Sequence, residues 1–232
     1  MVTLTADAVC VFAPTKSEQG AQMAAELVDA YLVGLKAKWD EVGAEESAQD
    51  FSLTQGAAEA DLARLRAAYP LCPDALIDLL RRVDGTYHRE YEGNTVRIYL
   101  LGSDLGRYPY YLLSAAEILE SATQPSWSKE TIRDIYGDKL AEWLPVGKDN
   151  ESGGYLDDRI DPDVPCGKRL HFSDCMNNGG TSQLFIDFNP LGGGQVGQVI
   201  RYLHDPDSYA VIADSFEEYL QTLIDGGYAF AR

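Results

Sequence analysis

Residues Asp187–Asp205 read DFNPLGGGQVGQVIRYLHD, with four glycines between Gly192 and Gly197. An apolar, alternating run, LFIDF (Leu184–Phe188), leads into them. A phosphate-binding loop would continue as a helix, whose free N–H groups and positive dipole end hold the anion. Here the continuation QVIRYL (Gln198–Leu203) carries Val199, Ile200 and Tyr202, residues that favour a strand. No Lys-Ser or Lys-Thr pair is present to meet phosphate and magnesium. The Gly-x-Gly-x-x-Gly spacing at Gly192, Gly194 and Gly197 therefore lacks its context. The stretch predicts a β-hairpin whose long turn needs positive φ, which glycine adopts without steric cost.

Working outward, YAVIA (Tyr209–Ala213) reads as the next strand. A final helix follows, capped by Asp214 or Ser215, with Phe216, Tyr219, Leu220 and Leu223 inward. Towards the N-terminus, Met23, Leu27, Tyr31, Leu35 and Trp39 recur every four residues, and Ala24 and Val28 widen that stripe. Gly43 suits its stop, and the acidic Asp40–Asp50 reads as a solvated link. Two shorter helices follow. One turns Leu62, Leu65 and Tyr69 inward; the other starts at Pro73 and ends near Gly85. Strands are expected around Thr95–Leu101. Ser114 and Glu117 are spaced as a capping box, and another helix is expected over Lys129–Tyr136. Lys148–Asn178 reads as loop-rich. Because strands cluster instead of alternating with helices, the expected class is α+β: an antiparallel sheet packed with N-terminal helices and a closing C-terminal helix.

The chain carries 37 acidic and 19 basic residues, a formal net charge of −18. Such a field repels free nucleic acid and anionic membrane and steers a basic partner inward; it also serves plain solubility. No apolar run reaches the roughly 20 residues needed to span a bilayer. The opening MVTLTADAVCVFAPTK lacks the features of a signal peptide, so a cytoplasmic location is expected. His171 and Cys175 lie four apart, but two ligands do not make a zinc site. No cofactor or metal is called for. No Gly-x-Ser-x-Gly elbow appears, and no enzyme activity is expected.

Three pieces in order, AAEADLARLRAAYPLCPDALIDLLRRVDG (57–85), LFIDFNPLGGGQVGQVIRYLHD (184–205) and VIADSFEEYLQTLI (211–224), resemble the SUKH superfamily. The likeness is closest to its branch of fungal cell-wall synthesis regulators and bacterial toxin-immunity proteins. It implies that residues 51–232 form a SUKH-like domain, with residues 1–50 an N-terminal extension carrying the amphipathic helix. It also implies that Gly193, Gly194 and Gly197 make the turn between two core strands, with Asp187 and Pro190 shaping its entrance. From its polarity at a strand start, Gln198 is expected to bond across that turn through its amide.

The functional expectation that follows is an immunity protein neutralising a cognate toxin domain of basic character. The alternative is a non-catalytic scaffold for cell-wall or signalling proteins. Two segments are candidate contacts. One is the acidic loop DNESGGYLDDRIDPDVPCG (149–167), through Asp157, Asp158, Asp161 and Asp163. The other is GRYPYYLL (106–113), through Tyr108, Tyr110 and Tyr111, tyrosine being enriched at interfaces; core packing accounts for these tyrosines equally well.

Overall fold

The computed structural model describes residues 16–106, 108–147, 153–177 and 180–231. The opening segment and Asp149 lie outside the described residues. Helix α1 (Lys16–Val42) buries Ala24, Val28, Tyr31, Leu35 and Trp39. The expected stripe is displaced at its start, where Met23 is 70% exposed. With 3.6 residues per turn, a strict four-residue spacing drifts around the helix, so Ala24 and Val28 take the inward positions. The expected solvated link is largely a second helix, α2 (Glu45–Leu53), none of whose residues is buried. It has no apolar stripe to announce it. It is fixed by Phe51, whose ring centroid lies 5.6 Å from that of Trp39, and by Asp50, which accepts the Arg97 N–H at 3.0 Å.

Helix α3 (Glu59–Ala68) turns Leu62 and Leu65 inward, and Tyr69 is buried just past its end. Helix α4 (Asp74–Arg82) buries Leu76, Ile77, Leu79 and Leu80. Strands β1 (Tyr87–Tyr91) and β2 (Asn94–Arg97) make a separate hairpin. Strand β3 (Tyr111–Leu112) leads into α5 (Ala115–Thr123), which starts through the expected Ser114–Glu117 capping box. Short helices α6 (Ile132–Tyr136) and α7 (Leu140–Trp143) precede β4 (Tyr155–Leu156). Strands β5 (Leu170–Asn177), β6 (Gly180–Asp187), β7 (Gln198–Leu203) and β8 (Ser208–Ala213) follow, and α8 (Phe216–Asp225) closes the fold.

The main sheet has the order β3-β5-β6-β7-β8-β4 and is antiparallel except where β4 joins β8. The class is α+β, as expected. One addition is large: the region read as loop-rich, Lys148–Asn178, ends in strand β5, which pairs with both β3 and β6. A bulge between His171 and Ser173 breaks its alternation, and polar side chains fill inward positions. Their polarity is satisfied within the fold; the buried Ser173 hydroxyl, for example, donates to the Tyr111 carbonyl at 2.7 Å.

Alternation along the strands separates two apolar layers. Leu170, Phe172, Leu184, Ile186 and Val199 face α1, α4, α5 and α8 in the main core. Phe216 is wholly buried there, edge-on to Phe172 at 5.4 Å. Ser215 caps α8 by accepting the Glu218 N–H. The opposite face carries Phe185 and Ile200 under α6 and α7. Among the described residues, no helix is long and apolar enough to cross a membrane.

Candidate functional site

The glycine stretch is two consecutive turns. The Gly194 N–H donates to the Leu191 carbonyl and the Gln198 N–H to the Gln195 carbonyl, at 3.0 Å each. Each turn places a glycine third, Gly193 and Gly197, both at φ +95°. Gly194 is required by proximity instead: a Cβ there would stand 2.7 Å from Gln198 Oε1 and from Pro190 Cβ. Gln198 does bond across the turn. Its amide nitrogen donates to Asp187 Oδ2 at 3.1 Å and its oxygen accepts the Gln195 N–H at 3.2 Å. Asp187 is fully buried, and Arg169 Nε stands 3.7 Å from its Oδ1. Strand β7 follows the glycines, so no helix N-terminus faces them.

The acidic loop folds onto this turn. The Leu191 N–H and the Gln198 amide both donate to the Arg159 carbonyl, at 2.9 and 3.3 Å. The carboxylates expected to be free for a partner are mostly engaged. Asp157 takes two bonds from the Arg159 guanidinium, at 2.9 and 2.7 Å, and one from the Val211 N–H. Arg159 in turn donates to the Val211 carbonyl. Where β4 stops short, these two side chains therefore continue the ladder along the open edge of β8. Burial by itself would raise the Asp157 carboxyl, but the Arg159 bonds and the Val211 N–H hold it below the ordinary range. Asp163 pairs with Arg133, whose bond likewise lowers its carboxyl. Asp161 accepts the Asp163 N–H. Asp158 is exposed. Nearby, the 1% exposed Arg201 is held by Asp104 at 2.6 and 3.1 Å. A cleft of about 690 Å³ opens here between Asp104, Asp158 and Gly193, and its charges are largely balanced from within.

The tyrosine segment also differs from expectation. Tyr110 and Tyr111 are 0% and 1% exposed, and Tyr108 is half-buried against the core. The first two are removed from the surface by packing: Tyr110 lies in the main core, bridged to Leu101, and Tyr111 lies on β3 beside β5. Tyr111 is gripped between Tyr87 and Tyr99, whose ring centroids each lie 4.5 Å away. Those two rings, 37% and 39% exposed, are the aromatic surface that this region presents.

At the opposite end of the sheet, the second face runs out of cover. The row Thr181, Gln183, Phe185 on β6 passes from the Phe185 contact with Trp127, stacked at 5.9 Å, into an open cleft of about 570 Å³. Its floor is His171, Asp174 and Gln183; its walls are α5, Trp127 and Tyr87. His171 bridges the floor to α5. Its Nε2 lies 2.9 Å from Asp174 Oδ1 and its Nδ1 3.0 Å from Ser121 Oγ. A carboxylate only accepts, so Nε2 carries a proton. Gln183 donates to the same Asp174 oxygen at 3.2 Å.

A Ser–His–Asp row invites a hydrolytic reading, but Ser121 sits inside α5, where backbone N–H groups are committed to carbonyls one turn back. No oxyanion donors flank it on that helix. What the row does is hold Asp174 in one orientation. Glu117, Glu120 and Asp174 line this cleft, with no lysine or arginine among its lining residues. Among the described residues, none of the three pairs with a lysine or arginine, and Asp174 is held by His171 and Gln183. Sequence reasoning passed over these groups, which come from three elements distant in the chain. The local clue was Trp127, a large aromatic in the polar run QPSWSKE. His171 and Cys175 also part ways here, since Cys175 packs into the main core.

A comparison with curated proteins finds no match. A family model described as the SMI1 / KNR4 family (SUKH-1) matches residues 56–222, from just before α3 into α8, and the chain belongs to that family.

Proposed function

We propose that the chain is an immunity protein that binds a cognate bacterial toxin domain of basic character and covers its active surface, without catalysing a reaction itself. The observation that carries this reading is the open cleft with three carboxylates that no described lysine or arginine pairs with, on a chain of net charge −18. A cationic groove, such as that of a nuclease toxin, complements such a surface and is steered to it. Family membership supports the reading, since the SUKH resemblance implies this role for most bacterial members. The proposed place of action is the cytoplasm of the protected cell. Of the acidic loop, Asp158 is the carboxylate with most freedom to join the contact, while Asp157 is committed to the β8 edge.

The test is co-expression. Basic toxin domains, each a candidate cognate, are produced in a host with and without the chain, and growth is followed. Protection together with a stable purified complex supports the reading. Growth arrest in both cultures, with no complex by size-exclusion chromatography, overturns it. Surface plasmon resonance on the pair adds a sharper arm, because an association rate that does not fall as salt rises removes the electrostatic part.

A further inference from the structure

The uncovered end of the second sheet face has a composition that fits one kind of occupant. Its floor is held rigid. His171 and Gln183 both donate to Asp174 Oδ1, and no hydrogen bond from the described residues reaches Oδ2. Glu117 uses one oxygen, Oε2, for the α5 capping box, accepting from the Ser114 N–H and hydroxyl at 2.7 Å each. Glu120 is exposed on the same helix. Aromatic faces stand at both sides: Trp127, fixed by its stack on Phe185, and Tyr87, which leads by way of Tyr111 to the half-exposed Tyr99.

The geometry points to this cleft as the docking site for an arginine-bearing segment of the partner protein. The inference rests on the immunity reading for the partner's identity, though not for its chemistry. A guanidinium is planar. It pairs with carboxylates through a rigid fork and stacks on aromatic rings, and it is more weakly hydrated than an ammonium. A carboxylate oriented in advance, with one oxygen uncommitted and tyrosine and tryptophan faces beside it, meets each of these properties. The β8-edge cleft offers no such match: there Arg159 and Arg201 already occupy Asp157 and Asp104.

The experiment titrates the full chain with nona-arginine and, separately, nona-lysine at 150 mM salt, following total tryptophan fluorescence and, for Trp127 itself among the three tryptophans, its assigned indole N–H by NMR. Three proteins are compared: the wild type, Glu120→Gln/Asp174→Asn, and Glu45→Gln/Glu46→Gln. The last pair removes the same charge from the exposed start of α2. The expected result is about tenfold weaker nona-arginine binding for the cleft variant and little change for the α2 variant. Trp127 should shift with arginine more than with lysine. Equal weakening in both variants would mean that net charge alone is felt, and would overturn the site; so would a silent Trp127. Far-UV circular dichroism and a melt verify that each variant is folded. Growth protection separates this inference from the reading beneath it: a cleft variant that protects as well as wild type leaves the immunity role standing and sinks the docking site.

Discussion

The two clefts, one at the β8 edge and one over β5 and β6, look alike in composition and differ in bookkeeping of charge. Both are lined by carboxylates. In the β8-edge cleft, Asp157 and Asp104 are matched by Arg159 and Arg201, and the pairs hold the edge strand and a loop in place. In the β5–β6 cleft, Glu117, Glu120 and Asp174 have no lysine or arginine beside them among the described residues. In the first cleft Asp157 and Asp104 serve the fold while Asp158 is exposed; in the second, Glu117 caps α5, and the exposed Glu120 carboxylate and Asp174 Oδ2 take no hydrogen bond from the described residues. The same residue type thus carries opposite expectations at the two ends of one sheet.

The largest effect should come from the support that both clefts share. Phe216→Ala removes a fully buried ring against Phe172 and should cost about 3–5 kcal/mol, read from denaturant melts. A loss below about 1 kcal/mol would mean that α8 does not pin the sheet. Next, Asp104→Asn strands Arg201 in the β8-edge cleft. Breaking a buried pair costs about 3–5 kcal/mol, and because Asp104 is 37% exposed the expected loss is nearer 2–3. No measurable change would erase the contrast between the clefts.

A smaller loss, about 1–3 kcal/mol, is expected for Asp157→Asn, which unsettles the Arg159 fork and the Val211 N–H. It carries a pH signature. The Asp157 carboxyl is depressed in the fold, so its contribution is complete above the ordinary value of 3.8 and fades as pH falls below it. Wild type and variant should therefore converge in acid melts; a gap that stays constant down to pH 2 would contradict the assignment. The smallest effect belongs to the other cleft. Glu120→Gln should leave stability within about 0.5 kcal/mol of wild type, as exposed carboxylates do. A large loss there would make the β5–β6 cleft structural as well, and the comparison would collapse.

The sequence went far where chemistry is local. The glycine turn, the Ser114–Glu117 box, the strands after Gly197 and the cap of α8 each follow from neighbours within a few residues, and each appears where expected. Family likeness rested on the same segments, and the family match spans them. It fell short where a signal depends on what lies opposite. Strand β5 hid because its polar residues are satisfied by groups on β3, α5 and β6, and a bulge spoils its alternation. Helix α2 hid because contacts from other elements, the Trp39 ring and the Lys36 ammonium on Phe51 and the Arg97 N–H on Asp50, hold it in place of a stripe.

The site divides in the same way. By itself the sequence determined that this chain is strongly acidic, that its glycines form a turn, and that aspartates concentrate between residues 157 and 163. Tertiary structure alone decided which carboxylates stay free, because a charge is neutralised by whatever cation the fold brings within a few ångströms. Arg159 is two residues from Asp157, but Arg133 is 30 from Asp163 and Arg201 is 97 from Asp104. Glu120, Asp174 and Trp127 meet only after β5 has paired with β6 and α5 has packed beside it. Coulomb attraction acts through space, and sequence separation says nothing of that distance until the sheet is built.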